Sequence, residues 1–345
     1  MTKIYNIDWL QFSAFIDIEM FNSTIILQNY KLETCNFSTR HFKIIKNIID
    51  TRQNKQIAVI TYLPHSSAIS KNLALIKFDN WLLYQNYLIN YIYEFIDVFK
   101  IQFNNLSRID VCIDFQRIDY RNQKPDRFIK SFLSGYYQKL RKSKGQVYFN
   151  IGEKLDFQYI KFGSGKSRVC SYIYNKTIEL EQVRNKPHIS ELWRKNNFNE
   201  DVWRCEFRIQ NFDFLLTDEE TGEQITFNGN LAGLKSFDVI KNVKPLFDAL
   251  AKHYLTFKIS GSDSNKSRLS GFRLFNESDK YQFNKTYNDN IEAGRSEKIF
   301  IKKLYELNNE LKGSDHELGM YGKEVLMNVI NATELTEWAK HKQII

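Results

Sequence analysis

The stretch Ile109-Asp110-Val111-Cys112-Ile113-Asp114-Phe115 alternates apolar and polar side chains with a period of two. That period marks a β-strand with Ile109, Val111 and Ile113 on a core face and Asp110, Cys112 and Asp114 on the other. On a straight strand the two carboxyls stand about 13 Å apart. Two later runs repeat the pattern. In Trp203-Arg204-Cys205-Glu206-Phe207-Arg208, Cys205 and Phe207 take the core face while Arg204, Glu206 and Arg208 share the opposite one. In Ser171-Tyr172-Ile173-Tyr174-Asn175-Lys176, Tyr172, Tyr174 and Lys176 fall together. Strands with one apolar and one polar face predict an α+β fold: antiparallel or mixed sheets with helices packed on one face.

The chain has 345 residues, enough for one large domain or two ordinary ones. Lys and Arg outnumber Asp and Glu by 49 − 40 = 9. A modest positive excess favours a polyanionic partner, most commonly nucleic acid. The four cysteines, 35, 112, 170 and 205, have no CxxC spacing, which suits a reducing compartment without a cysteine zinc site. The six histidines form no HxH, HxxxH or HExxH pair. No signal-peptide pattern opens the sequence, so the expectation is a cytoplasmic protein. Trp81–Phe99 carries Asn86, Asn90, Glu94 and Asp97 at helical spacing, as an amphipathic helix does and a membrane span does not.

Strand patterns cover Ile7–Ile16, Ile25–Leu32, Ile57–Tyr62, Asn72–Phe78 and Ser107–Phe115, with 41–50 ambiguous and a helix near 80–99. Further on, Arg127–Gln138 reads as a helix, and Gln146–Phe149, Phe157–Phe162, Arg168–Thr177 and Val202–Gln210 read as strands. Thr177–Arg184 makes a short helix, Asp218–Gln224 a turn, Asp238–Leu250 a helix limited by Pro245, and Gly261–Ser270 a polar loop. The order of elements leaves open two pseudo-equivalent halves, about 1–120 and 121–270, within a catalytic and DNA-binding region 1–270. A mainly helical C-terminal region, 271–345, follows, with helices expected over 295–311 and 322–339.

Phosphodiester cleavage needs charge neutralised on the non-bridging oxygens, and a hard divalent ion held by carboxylates does this. Asp110 and Asp114 are candidates; the competing reading pairs one of them with Arg108 or Arg117. Two acids inside an apolar strand are costly unless paired or liganded. Glu206 can complete the carboxylate set, with Arg204 and Arg208 as phosphate clamps; the alternative is a solvated sheet face with cross-strand ion pairs. Tyr174 or Tyr172 can serve as nucleophile, with Lys176 stabilising phenolate or phosphate, although most of the 19 tyrosines must be structural. Gly163-Ser164-Gly165-Lys166-Ser167 is not a P-loop, because the first glycine of that pattern would fall at Ile160. It reads as a tight turn with Lys166 and Arg168 near a DNA phosphate. The basic tract Lys139, Arg141, Lys142 and Lys144, near Tyr136, Tyr137 and Tyr148, is either a backbone and stacking surface or a solvated loop.

In order and spacing these blocks resemble a known family: the trans-acting replication initiation factors of rolling-circle plasmids, with the related relaxases of integrative conjugative elements. The blocks are Ile7-Asp8-Trp9-Leu10, Leu106–Asp114, Phe162-Gly163-Ser164 with Ser167, Tyr174-Asn175-Lys176 with Glu179, Trp203–Arg208 and Asn265-Lys266-Ser267-Arg268, spanning roughly residues 7–270. The resemblance implies a metal-dependent endonuclease and strand transferase acting at a replication origin. Tyr174 would attack the nick-site phosphate, leaving a 5′-phosphotyrosine and a free 3′-hydroxyl, and reversal would rejoin the strand; Tyr172 is the alternative nucleophile. Asp110, Asp114 and Glu206 would hold Mg²⁺ or Mn²⁺. Arg108, Lys176, Arg204 and Arg208 would contact phosphate, and Lys266 and Arg268 would join the DNA-binding set. Single-stranded or hairpin origin DNA, a host helicase and a homodimer are the implied partners, with no membrane. The lack of paired histidines agrees with the family; the C-terminal part does not match it. The alternatives are a non-catalytic basic DNA-binding protein of the same fold and a metal-dependent nuclease using water.

Overall fold

A computed structural model describes residues 2–23, 25–141, 143, 145–150, 156–164, 167–182, 185–210, 213–228, 243–260, 271–276 and 280–285, with positions 327, 328, 330, 336 and 340. The chain divides into Met1–Asn284 and Lys285–Ile345. The helices expected over 295–311 and 322–339 lie almost wholly outside the described residues, as do the loop 261–270 and the start of the helix expected from Asp238.

Eleven described strands form one sheet, in the order β2-β3-β4-β5-β6-β1-β7-β12-β11-β10-β9. The first seven in sequence are β1 (Ile4–Phe15), β2 (Ile26–Leu27), β3 (Tyr30–Thr34), β4 (Phe42–Asp50), β5 (Lys55–Pro64), β6 (Leu73–Phe78) and β7 (Gln102–Phe115). The others are β9 (Gly145–Asn150), β10 (Asp156–Phe162), β11 (Val169–Asn175) and β12 (Trp203–Gln210). Their described pairings are antiparallel, so the sheet is antiparallel rather than mixed. The ambiguous run 41–50 is β4, paired on both sides, where its alternating Ile44, Lys46 and Ile48 find partners.

Period-two alternation gives this sheet two unlike faces. On the first, Leu10, Phe12, Val111, Ile113, Cys205 and Phe207 are fully buried. Helix α3 (Leu88–Val98) covers one end of it through Phe95, whose ring lies 5.5 Å from Phe78. Helix α7 (Val243–Tyr254) covers the other through Phe247, 5.3 Å from Phe207 and 5.7 Å from Tyr5. Pro245 sits in the first turn of α7, where its missing N–H costs nothing, so the helix runs past it to Tyr254. The helix expected over 80–99 is two: α2 (Asn80–Leu83), capped by the Asp79 side chain, and α3, with Tyr84 at the break. The helix expected over 127–138 is α4 (Pro125–Leu133), which ends before β8 (Tyr137–Lys139). Strand β8 pairs with β15 (Thr256–Ile259), which pairs with β16 (Gly271–Arg273), in a small second sheet. Asp218–Gln224 is the turn between β13 (Asp213–Asp218) and β14 (Gln224–Asn228). Residues 271–345, expected to be helical, begin with strands, β16 and β17 (Tyr281–Lys285). Two further helices, α5 (Lys176–Gln182) and α6 (Pro187–Lys195), precede β12.

Phe247 is the ring that seats α7 on the sheet behind the polar face. Phe247→Ala should cost about 3–5 kcal/mol of stability, the range for a fully buried aromatic, read as a lowered denaturant midpoint at unchanged slope.

Candidate functional site

Register brings the polar residues of four neighbouring strands together. Across β7 and β12, Asp110 faces Arg208, Cys112 faces Glu206 and Asp114 faces Arg204. Across β12 and β11, Glu206 faces Tyr172 and Arg204 faces Tyr174. On the other side of β7, Ile7 pairs with Val111 but Trp9 pairs with Asp110, so Asp8 is an extra residue in β1. Such a bulge re-aims a side chain. Here it puts Asp8 beside Trp9 on the polar face, within reach of Arg204. The result is a cleft of about 630 Å³ whose lining includes Asp8, Asp110, Tyr172, Tyr174, Glu206 and Arg208.

One end of this face is closed by a buried ion network. The Arg204 guanidinium, fully buried, donates from Nε to Asp114 Oδ1 at 2.6 Å and from Nη2 to Oδ2 at 2.8 Å. Its Nη1 donates to Asp8 Oδ1 at 2.6 Å, and Nη2 also meets the Tyr84 hydroxyl at 2.8 Å. Trp193 on α6 donates its indole N–H to Asp114 Oδ2 at 2.8 Å. Asp114 and Arg204, expected as a metal donor and a phosphate contact, are therefore turned to each other. Neither charge survives desolvation at this depth without the partner.

The other end is open and carries the remaining acids. Asp110 is 2% exposed and accepts from Arg108, Nε to Oδ1 at 2.9 Å and Nη2 to Oδ2, so the competing sequence reading of this residue describes its present contact. Arg208 Nε lies 3.8 Å from Asp110 Oδ2 and is buried with no hydrogen-bond partner among the described residues. The Tyr174 hydroxyl donates to Glu206 Oε2 at 3.1 Å and accepts from Lys176 Nζ at 3.4 Å. Lys176 itself is buried and paired with Glu179.

Burial, with repulsion from Asp110 and Asp8, pushes the Glu206 carboxyl up to about 7. Burial also raises Asp110. Burial acts in the same sense on Asp8, but Arg204, Lys176, Lys186 and the Asn80 amide outweigh it and hold that carboxyl below its usual range. Burial and the neighbouring Glu206 push the Tyr174 phenol well above its ordinary value.

Among the described residues no three His, Cys, Asp or Glu side chains converge as a ready metal cage. The donor chemistry still fits a hard divalent cation. Asp110 and Glu206 are oxygen donors, Asp110 raises the proton affinity of Glu206, and a cation between them relieves that repulsion. Arg108 holds the Asp110 oxygens in the meantime.

Tyr172 lies between Arg208 and Lys161, their cations 5.2 and 5.5 Å from its ring centroid. Lys139 and Arg141 are elsewhere. Lys139 sits over the Phe162 ring at 5.1 Å and bonds Ser143, while Arg141 meets His253 and the ring of Tyr254. Phe162 points to the helix-covered face, opposite to its neighbour Lys161, so these two members of the basic tract lie behind the sheet. Arg168 is exposed and close enough to Tyr254 to act on its phenol. Lys142, Lys144, Lys166, Lys266 and Arg268 lie outside the described residues. The turn after β10 is tight: Gly163 has φ of 100° and the Ser164 amide donates to Ser167 Oγ at 3.0 Å.

Sequence reading overlooked Asp8, Asn80, Tyr84, His188 and Trp193 as site residues. For Asp8 a signal existed, since two successive non-core residues, Asp8 and Trp9, interrupt the alternation of β1. The others come from helices that no strand pattern ties to the cleft. His188 Nε2 lies 3.0 Å from Asn80 Oδ1, and the Asn80 amide donates to Asp8 Oδ1 at 3.1 Å.

No family model matches this chain, and no curated protein matches it. Among solved structures, it is similar to a rolling-circle replication initiator protein from Geobacillus stearothermophilus, at 13% identity and a TM-score of 0.47 over 79% of this chain and 94% of that one. At that level the likeness assigns neither activity nor residues.

Two outcomes follow from the buried network. Arg204→Met should cost about 3–5 kcal/mol because it strands Asp114 and Asp8, and Arg204→Met/Asp114→Leu should cost less than the two single changes summed, in denaturant unfolding. Burial and Lys186 hold His188 down to about 4 from 6.5. Its folded value is below its unfolded one, so it contributes stability above about 6.5 that is lost as pH falls towards 4. His188→Gln should flatten stability across that window.

Proposed function

We propose that this protein is a tyrosine DNA nicking–closing enzyme, a replication initiator or relaxase that cuts one strand and rejoins it. The observation that carries the reading is the Tyr174 hydroxyl in the cleft, bonded to Glu206 at 3.1 Å with the Lys176 ammonium 3.4 Å away. A phenol with a high proton affinity is a poor nucleophile until a base takes its proton and a cation stabilises the phenolate. Glu206, raised to about 7, is matched to the first task, and Lys176 to the second.

In the forward step Tyr174 Oη attacks phosphorus and gives its proton to Glu206. The bond from phosphorus to the 3′-oxygen breaks, leaving a 5′-phosphotyrosine and a 3′-hydroxyl once that oxygen is protonated. Reversal rejoins the strand. Arg208, with its unsatisfied Nε, contacts a non-bridging phosphate oxygen. Asp110 and Glu206 are the residues that would hold Mg²⁺ or Mn²⁺, which supplies further charge neutralisation when bound. Asp114 and Arg204 are positioning residues: they touch each other and fix the strands that carry Tyr174 and Glu206. Single-stranded or hairpin origin DNA is the substrate of this reading, and a host helicase and a second copy of the chain are its further partners.

With Mn²⁺ and a single strand carrying the nick site, the protein should form a covalent adduct that survives denaturing electrophoresis. Tyr174→Phe should abolish it, and Glu206→Gln should slow it at least 100-fold, the usual contribution of a general base. An adduct that persists in Tyr174→Phe and vanishes in Tyr172→Phe transfers the nucleophile to Tyr172. Cleavage without any adduct replaces this reading with a water-dependent nuclease.

A further inference from the structure

When the bond from phosphorus to the 3′-oxygen breaks, the electron pair stays on that oxygen, and an alkoxide forms unless a proton arrives with it. Glu206 is no source for that proton, because it is receiving the one from Tyr174. Among the groups that line the cleft, Arg108 and Arg208 keep their protons, since a guanidinium stays charged in a protein. His188 is held down to about 4, so near pH 7 its ring is neutral and is no acid.

Lys186 lines the same cleft. It directly precedes Pro187, the first residue of α6, and a proline restricts the backbone of the residue before it. Helix α6 is pinned in turn, Trp193 to Asp114 at 2.8 Å and His188 to Asn80 at 3.0 Å. The Lys186 ammonium lies 4.0 Å from Asp8 Oδ2. Asp8 is fixed through its other oxygen, which accepts from Arg204 at 2.6 Å, Tyr84 at 3.0 Å and Asn80 at 3.1 Å. Lys176, 3.4 Å from the Tyr174 hydroxyl, is near enough to act on both Asp8 and Lys186. The two lysines differ in access. The Lys176 side chain is 1% exposed and paired with Glu179, whereas that of Lys186 is 19% exposed and can reach a substrate.

We propose that Lys186 is the general acid of the nicking step, giving a proton to the leaving 3′-oxygen, with Asp8 as its positioning residue. The proposal rests on the nicking reading and adds a catalytic residue to it. As the bond from Tyr174 Oη to phosphorus forms, the bond from phosphorus to the 3′-oxygen breaks. The Tyr174 proton passes to Glu206. The 3′-oxygen keeps the departing electron pair and takes a proton from Lys186 Nζ, which is left a neutral amine. In the rejoining step that amine takes the proton back from the 3′-hydroxyl. Burial lowers the proton affinity of Lys186 below that of a free lysine; Lys176 and Arg204 add to this, and Asp8 and Glu179 act against it. A weaker hold on the proton suits an acid that must release it near neutral pH.

A strand whose scissile linkage carries sulfur in place of the 3′-oxygen tests this role, because a thiolate leaves without needing a proton. Full-length protein is mixed with Mn²⁺ and either the oxygen or the sulfur strand, and the rate of covalent adduct formation is measured. Lys186→Met should slow the oxygen strand at least 100-fold, the lower bound for a general acid, and the sulfur strand only slightly. Lys186→Arg keeps the charge without a proton to release, so it should be as slow as Lys186→Met on the oxygen strand. The melting temperature shows that each variant is folded. Equal losses on both strands, or an oxygen-strand rate restored by Lys186→Arg, overturns the acid and leaves the nicking reading standing. No adduct from the wild-type protein on either strand rejects the nicking reading and the acid with it.

Discussion

The ion pair between Arg204 and Asp114 is the contact on which the rest of the site depends. Both residues are essentially inaccessible, and the two form a bidentate bond across adjacent strands. A one-residue slip of β12 against β7 would turn Arg204 into the hydrophobic face and leave Asp114 uncompensated. The pair therefore fixes register at the point where register matters most. Glu206 is two residues from Arg204, and Tyr174 is opposite Arg204 on β11, so fixing one residue fixes the partners of the phenol as well. The same guanidinium reaches Asp8 on β1 and Tyr84 after α2, and the same carboxylate accepts from Trp193 on α6. One buried cation thus ties three strands and two helices together.

That arrangement divides the polar face into unequal ends. At the closed end, acids meet Arg204 and one of them, Asp8, is held ionised despite burial. At the open end Glu206 and Asp110 repel each other, and both hold protons more strongly than in water. The contrast comes from where cations are placed rather than from the acids themselves. Environments that push neighbouring carboxyls in opposite directions leave one charged in the frame and one holding its proton near neutrality.

Much of this was legible because strand alternation is a local signal. Val111 and Phe207 are core, and Asp110, Glu206 and Tyr174 share the other face, as period two requires. Pairing partners are not local. Nothing in Asp114 says that it will meet Arg204 rather than a metal, because the two residues are 90 positions apart and their register is a tertiary property. The bulge at Asp8 was visible only as a break in alternation, and its consequence depended on which strand lay alongside. Helix α6 escaped notice altogether, although its Trp193 and His188 reach the site. The placement of Lys139 and Arg141 was hidden for the same reason. Charge density in sequence does not reveal which side of a sheet a side chain occupies, and Lys139 lies over Phe162 on the covered side.

A sheet that buries only one face has to make the other compatible with water, and a row of charges is the simplest way. Here the row is not a random solvated surface. Its cations are stacked on rings and its acids are buried among them, which restricts both in position and in protonation. Because their carbon stems already lie on rings, these cations have less rotamer freedom left to lose. Arg108 sits at the junction of the two sets, one side against the Trp9 ring and its N–H groups on Asp110. Any ligand that draws Arg108 away from Asp110 frees a carboxylate beside Glu206. The ring-stacked cations and the carboxylates at the open end are thus linked through that single side chain.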